Sequence, residues 1–175
     1  MAIIKPSNKY KGKRFNHGRH EGKLIEVVLL RHPDYIKWLS EKSADGFGWV
    51  HDHVEKCVER FDALPFLNVQ CRGQVNGVPC TNPVTRFSMY PNSTSLLYWC
   101  DTCDPYQQGA SKTLTVSARY YDALFHVWAT TSRNRPYYRN IIEGLAAAKG
   151  LTGNYTERNV IKFLYGPNAE PTDQV

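Results

Sequence analysis

The sequence predicts an α+β fold: a small helical N-terminal module, a short antiparallel hairpin in the middle and a helical C-terminal segment. Three observations predict it. Apolar residues recur at helical spacing in the first third of the 175-residue chain and again in the last third. The stretch between them is rich in Gly, Pro, Asn, Ser and Thr and carries short alternating runs. That same stretch holds four of the five cysteines, so a bound ion can supply the folding energy that a polar segment lacks.

Residues 1–14 read as a flexible basic arm and residues 15–65 as the first helical module. Within it, Leu24 to Leu30 is apolar apart from Glu26 and stops before His32-Pro33. Proline disfavours a helical residue before it but suits a first helical turn. A second short helix is therefore predicted over Asp34 to Lys42, with Tyr35, Ile36, Trp38 and Leu39 as packing residues. Asp45-Gly46-Phe47-Gly48 reads as a turn. A third helix runs from about Trp49 to Leu64, with Val50, Val54, Cys57, Val58, Phe61 and Leu64 on one face, and Pro65 ends it.

Residues 66–116 form the middle module. Thr85 to Tyr90 and Ser95 to Cys100 flank Pro91-Asn92-Ser93-Thr94, a pattern that predicts a β-hairpin, and Leu114 and Val116 suit a third short strand. In residues 117–167, Ser117 is placed to cap a helix reaching about Thr131, with Tyr120, Tyr121, Leu124, Phe125, Val127 and Trp128 available for packing. A second helix follows Pro136 and ends near Gly150, and a third runs from about Thr156 to Tyr165. Residues 168–175 read as a disordered tail.

The cysteines carry the clearest chemistry. Cys71 and Cys80 are separated by eight residues, and Cys100 and Cys103 by two. Two intervening residues let both sulfurs of the second pair face one metal from a single turn. Gly73, Gly77 and Pro79 suit a widened loop in the first pair, which departs from the usual two-to-four spacing. With the hairpin joining the two pairs, residues 71–103 resemble a zinc ribbon. The implied cofactor is structural Zn²⁺ held by Cys71, Cys80, Cys100 and Cys103 in a closed tetrahedral site. The alternatives are four buried free thiols or a redox Cys-x-x-Cys. The redox motif opens a helix after a strand, which Asp104-Pro105 does not favour. A catalytic zinc needs an open coordination position, and four cysteines leave none. Cys57 lies on the apolar stripe of its helix and reads as a small buried hydrophobe. His51 and His53 point about 200° apart on a helix and cannot easily share a metal, whereas His51 and Glu55 share a face.

Charge is unevenly placed. Seven of the 22 basic side chains and one of the 16 acidic ones fall in residues 1–23, so the net +6 is concentrated there and the remainder balances. A focused basic segment attracts phosphate backbones or acidic protein surfaces, although a solvated terminus has the same composition. The candidate nucleic-acid contacts are Lys11, Lys13, Arg14, Arg19, His20 and Lys23, with a second basic-aromatic cluster at Arg133, Arg135 and Arg139 around Tyr137 and Tyr138. That second cluster also suits an ordinary interhelical loop. Arg72 and Arg86 are placed to extend a basic surface beside the cysteines.

The stretch Phe15-Asn16-His17-Gly18-Arg19-His20-Glu21-Gly22-Lys23-Leu24-Ile25-Glu26-Val27, followed by His32-Pro33-Asp34-Tyr35-Ile36-Lys37-Trp38-Leu39, resembles the small C-terminal accessory domain of exodeoxyribonuclease X-like proteins. The resemblance covers residues 15–42 and rests on the aromatic and glycine positions. Arg19 stands where that family usually has Lys, and Leu24 where a helix-capping Thr is common. The resemblance implies association with nucleic-acid metabolism and no active site. Independently of it, Gly18 and Gly22 permit tight turns, and Arg19, His20 and Lys23 lie on a loop leading to a helix N-terminus, where N–H groups attract anions.

No run reaches the roughly 18 apolar residues of a membrane-spanning helix, and residues 1–12 lack the apolar core of a secretory signal, so the expected location is cytoplasmic. The acids are scattered, with no clustered carboxylates of a metal-dependent nuclease, and no His-Glu-x-x-His, phosphate loop or nucleophile elbow appears. The expectation is a non-catalytic, zinc-containing protein that binds nucleic acid, or a protein of nucleic-acid metabolism, away from membranes. The alternatives are a protein–protein adaptor or inhibitor that uses the ribbon as a rigid surface, and an enzyme with an unrecognised site.

Overall fold

The computed structural model describes residues 12–42, 48–89, 95–103, 115–130 and 135–171, without the side chains of residues 127–130 and 135. The chain is an α+β protein. In order, its elements are α1 (Ile25–Arg31), α2 (Pro33–Glu41), α3 (Gly48–Ala63), β1 (Gln74–Val75), β2 (Val78–Pro79), β3 (Arg86–Met89), β4 (Leu96–Trp99), β5 (Val116–Ser117), α4 (Tyr120–Thr130), α5 (Arg135–Ala148) and α6 (Glu157–Tyr165).

α1 lies at the centre. Ile25, Val28, Leu29 and Leu30 are fully buried, and α2, α3, α5 and α6 pack around them. A helix that is apolar on nearly every side can only be stable inside other helices. Leu24 offers no side-chain cap, and the N–H of Ile25 instead donates to the Lys13 carbonyl at 2.9 Å. Arg14 pairs with Leu24 in an isolated antiparallel bridge, and its guanidinium grips both Glu157 oxygens on α6 at 2.6 and 2.7 Å. The arm predicted to be flexible through residue 14 is therefore tied down at residues 13 and 14; residues 1–11 lie outside the described residues. At the other end, Ala169 is buried against Leu24 and Ile161, so the tail predicted to be disordered from residue 168 is packed there.

The remaining helices bury single stripes. On α3, Val50, His53, Val54, Cys57, Val58 and Phe61 face inward, the predicted stripe with His53 added and without Leu64, which lies just past the helix end and is half-buried. On α2, Ile36 and Leu39 are buried while Trp38 is 41% exposed, which corrects its reading as a packing residue. Phe125 on α4 is likewise exposed. Ser117 does not cap α4 but belongs to β5. The N–H of Tyr120 is satisfied by the Asp62 carboxylate of α3 at 2.8 Å, a cap delivered by tertiary structure. Thr156 does cap α6, accepting from the N–H of Asn159. The helical stretches on either side of the middle segment share one apolar core, which runs from Phe15 through Phe61, Phe87 and Tyr120 to Leu164.

The larger sheet has the order β4-β3-β5, antiparallel throughout, with Arg86 opposite Trp99 and Met89 opposite Leu96. The period-2 alternation of strands divides its faces. Phe87, Met89, Leu96 and Tyr98 meet the helices, where the Tyr98 hydroxyl donates to the Gly144 carbonyl at 3.2 Å. On the opposite face the Trp99 indole donates to the Ser88 hydroxyl at 2.9 Å, both residues being buried. The predicted hairpin strands are present; the turn assigned to residues 91–94 lies outside the described residues. β1 and β2 form a second, two-stranded hairpin whose turn residues Asn76 and Gly77 have φ of 53° and 80°. Two successive positive φ values define the turn that suits the twist of a two-residue hairpin, and Asn-Gly is its strongest sequence signal.

Candidate metal centre

Both hairpins end at the cysteines. Cys71 precedes β1, Cys80 follows β2, and Cys100 follows β4 directly. All four are buried, and their sulfurs lie within 4.8 Å of one another, with Cys80 and Cys100 at 3.8 Å. The structure thus brings together the predicted quartet in an arrangement that can hold a metal ion. The sulfurs also collect the donors that thiolate ligands require. Cys71 accepts from the N–H groups of Gly73 and Cys100, both at 3.3 Å. Cys80 accepts from that of Asn82 at 3.4 Å, and Cys100 from that of Cys103 at 3.3 Å.

Two residues enforce this closure. A Cβ on Gly73 would stand 2.2 Å from the Cys103 sulfur, so only glycine lets the first loop approach the second. Arg86 turns toward the second loop: its guanidinium donates to the carbonyls of Cys100 at 2.8 and 3.2 Å, Asp101 at 3.1 Å and Cys103 at 3.0 Å. It is a clamp on the Cys-x-x-Cys turn, which corrects its reading as part of an outward basic surface.

The thiols are electrostatically unequal. Burial alone would raise Cys100, but hydrogen bonds from the Thr102 hydroxyl and the N–H groups of Cys103 and Thr102 lower it to about 5. Burial raises Cys71. Burial and the facing sulfurs of Cys100, Cys80 and Cys71 raise Cys103. Cys100 is thus the thiol most readily ionised, and a bound cation would offset what opposes ionisation at Cys71 and Cys103.

The basic residues divide. Lys13, Arg19 and Lys23 are exposed, whereas Arg14 is half-buried on Glu157 and on the Gly22 carbonyl at 3.0 Å. His20 is 2% exposed and so is not a solvent-facing contact. Its ring lies 4.5 Å from those of His32 and Tyr35 and 6.3 Å from Phe15, and its Nδ1 has no hydrogen-bond partner among the described residues. Burial, then His32, Lys23 and Arg19, lower its pKa to about 4. Gly18 and Gly22, with φ of 83° and 75°, make the turns that fold this loop back, and the N–H of Gly22 donates to the Phe15 carbonyl at 2.8 Å. The N–H of Ile25 at the following helix start is already taken by Lys13, leaving the predicted anion position partly filled. Lys11 and Arg133 lie outside the described residues, as does the side chain of Arg135. Arg139 is exposed and donates to Glu143 at 2.7 Å.

An exposed basic residue adjoins an aromatic ring, and an aromatic pair lies on α2. Tyr35 stacks on Trp38 at 5.4 Å with 26° between planes, and Lys13 lies 5.7 Å over the ring of Trp49, itself 40% exposed. His51 and Glu55 face each other at 3.9 Å near the surface, as the shared helix face predicts.

One cluster escaped the sequence reading. Glu26, His53 and Cys57 are buried together in the helical core, with Tyr165 beside them. The His53–Cys57 spacing of four residues is its sequence signal; Glu26 joins them only through the crossing of α1 and α3.

No described helix is long and apolar enough to cross a membrane. Compared with family models, curated proteins and solved structures, the chain matches none.

Proposed function

We propose that this chain is a zinc-stabilised, non-catalytic protein that binds single-stranded nucleic acid. The reading rests on one observation: an exposed tryptophan, Trp38, stacked on Tyr35, whose ring also meets the base of the loop that presents Arg19 and Lys23. Stacked aromatics with adjacent cations hold bases and phosphates together without sequence preference. Lys13 over the exposed Trp49 repeats the combination. Residues 12–42 carry seven basic side chains against the four acids Glu21, Glu26, Asp34 and Glu41, so their balance is basic. The resemblance of residues 15–42 to an exonuclease accessory domain agrees with this reading. Zinc is the ion that four closely set thiolates suit best, bound at about 2.3 Å in a closed site that leaves no position for catalysis.

The test is fluorescence anisotropy of labelled single- and double-stranded DNA and RNA with the zinc-loaded protein across a salt series. Single strands bind preferentially, with log affinity falling by about 0.7 per phosphate contacted for each decade of salt. Trp38→Ala loses roughly 1–3 kcal/mol of binding, and Arg19→Glu with Lys23→Glu flattens the salt slope. Absence of binding at about 50 mM salt, where phosphate contacts are strongest, removes the nucleic-acid reading.

A protein partner is the second reading. Val75 and Val78, 55% and 63% exposed, project from the β1–β2 hairpin beside the cysteines. A cleft of about 350 Å³ adjoins them, lined by Arg72, Gln74, Leu97 and Trp99 among others. Apolar residues held rigidly beside a groove are anchors for a protein surface.

A further inference from the structure

The centre of the helical core contains chemistry that packing does not call for. α1 is apolar apart from Arg31 in its last turn and Glu26, which is fully buried. α3 carries His53 and Cys57 on its inward stripe, where spacing alone calls for aliphatic residues. The two elements cross so that these three side chains meet. The Glu26 carboxylate oxygen Oε1 lies 2.9 Å from His53 Nε2 and 3.8 Å from Cys57 Sγ. All three ligand atoms are within 4.8 Å of one another. The Tyr165 hydroxyl of α6 closes a further side, 3.0 Å from the same Glu26 oxygen and 3.5 Å from Cys57 Sγ.

We infer that Glu26, His53 and Cys57 form a second metal site, for a borderline-soft divalent ion of the zinc class, separate from the four-cysteine centre.

Three features lead there. A carboxylate, an imidazole and a thiol are the three side-chain types that bind such ions, and thiol and imidazole together disfavour the hard ions magnesium and calcium. His and Cys four residues apart on a helix present their ligand atoms to one point on one face, and the crossing helix supplies the third ligand, the arrangement by which helical bundles build metal sites. The separations also fit. A tetrahedral ion with oxygen and nitrogen at about 2.0 Å and sulfur at about 2.3 Å sets its ligands roughly 3.3–3.5 Å apart, within a few tenths of an ångström of the oxygen–nitrogen and oxygen–sulfur separations here. The ion would also compensate a carboxylate removed from water at the centre of the core. Binding would displace the Cys57 thiol proton to solvent, leaving a thiolate ligand. The Tyr165 hydroxyl or a water completes the shell. Arg60, whose guanidinium covers the Tyr165 ring at 4.6 Å, holds that side in place.

Metal content and cadmium NMR of the full chain test this site. The unaltered protein, dialysed after loading, is expected to retain two zinc equivalents and, with cadmium, to give two resonances: one at the strongly deshielded position of an all-sulfur site and one in the range of mixed nitrogen, oxygen and sulfur ligation. Cys57→Ser removes one equivalent and the mixed-ligand resonance alone. Cys71→Ser with Cys100→Ser removes the other. A single equivalent with only the all-sulfur resonance in the unaltered chain overturns the inference, whatever the variants do. Two equivalents that both survive Cys57→Ser overturn it as well. A chain retaining only the mixed-ligand resonance upholds this site and instead overturns the reading of the four cysteines.

Discussion

Two nitrogens of the Arg86 guanidinium converge on the carbonyl oxygen of Cys100, at 2.8 and 3.2 Å, and the same group reaches the carbonyls of Asp101 and Cys103. A strand residue thereby sets the shape of the turn that carries two of the four clustered cysteines. Arg86→Ala removes the clamp without touching a ligand. It is expected to weaken metal retention by about 10- to 100-fold, the usual consequence of losing an outer-shell support. Arg86→Lys recovers little, because an ammonium cannot reproduce the planar fork. Competition with a colorimetric zinc chelator measures both; unchanged retention in Arg86→Ala would count against the clamp.

The two glycines of the first cysteine loop make a discriminating pair. Gly73→Ala places a methyl 2.2 Å from the Cys103 sulfur and 2.5 Å from its Cβ, so the four sulfurs cannot close and the ion is lost. Gly77→Ala meets nothing within 4 Å but must hold φ near 80°, which costs about 1–2 kcal/mol and leaves the ion in place. Zinc content and thermal unfolding of the two variants separate the effects.

His20 makes stability depend on pH. Its pKa is about 4 in the folded protein against 6.5 when unfolded. Above pH 6.5 the ring is neutral in both states and nothing is lost. As pH falls from 6.5 towards 4 the unfolded chain takes up the proton first, so stability declines by at most about 3 kcal/mol and then levels off. His32, also lowered by burial, contributes in the same direction. Phe15, Tyr35, Lys23, Arg19 and Asp34 complete the surroundings, and only Asp34 opposes the shift. Denaturant unfolding of the wild type and His20→Phe between pH 4 and 7 isolates the effect: the wild type loses stability relative to the variant as pH falls, and parallel curves would contradict it.

Lys149 ends α3 from a distance. Its buried ammonium donates to the Leu64 carbonyl at 2.6 Å and the Asp62 carbonyl at 3.3 Å, and lies 4.3 Å over Phe66. Lys149→Ala removes the two hydrogen bonds and the ring contact and is expected to cost about 2–3 kcal/mol. Lys149→Met keeps the packing and costs about half as much. Burial lowers the Lys149 pKa, with Asp62 opposing, so the charged form is disfavoured in the fold. The wild type therefore gains stability as pH rises through the folded pKa towards 10.5, and the Met variant lacks that gain.

Much of the architecture was legible because it is local. The boundaries of α1, α2, α3, α5 and α6 follow from apolar periodicity, from Pro33 and Pro65, and from the Thr156 cap, all short-range effects. The cysteine quartet was legible from spacing, since the tight Cys100–Cys103 turn and the longer Cys71–Cys80 loop, joined by a hairpin, leave few ways to arrange four thiols. The β1–β2 hairpin was also written locally, in Asn76-Gly77, and was passed over as a widened loop. What misled was exposure. Trp38, His20 and Arg86 were assigned by residue type, Trp to the core and the two basic residues to the surface, and each lies elsewhere because its neighbours decide.

The sequence by itself determined the α+β class, most helix ends and the identity of the four clustered cysteines, because these depend on steric and periodic rules acting over a few residues. Only the tertiary structure decided that α1 is the hub shared by both helical stretches, that Asp62 caps α4 from another helix, that Arg86 faces the cysteine turn, and that Glu26 meets His53 and Cys57. Each joins residues 14 to 58 positions or more apart in sequence. Such meetings are set by how buried surfaces of several elements fit at once, a property that no short window of sequence contains.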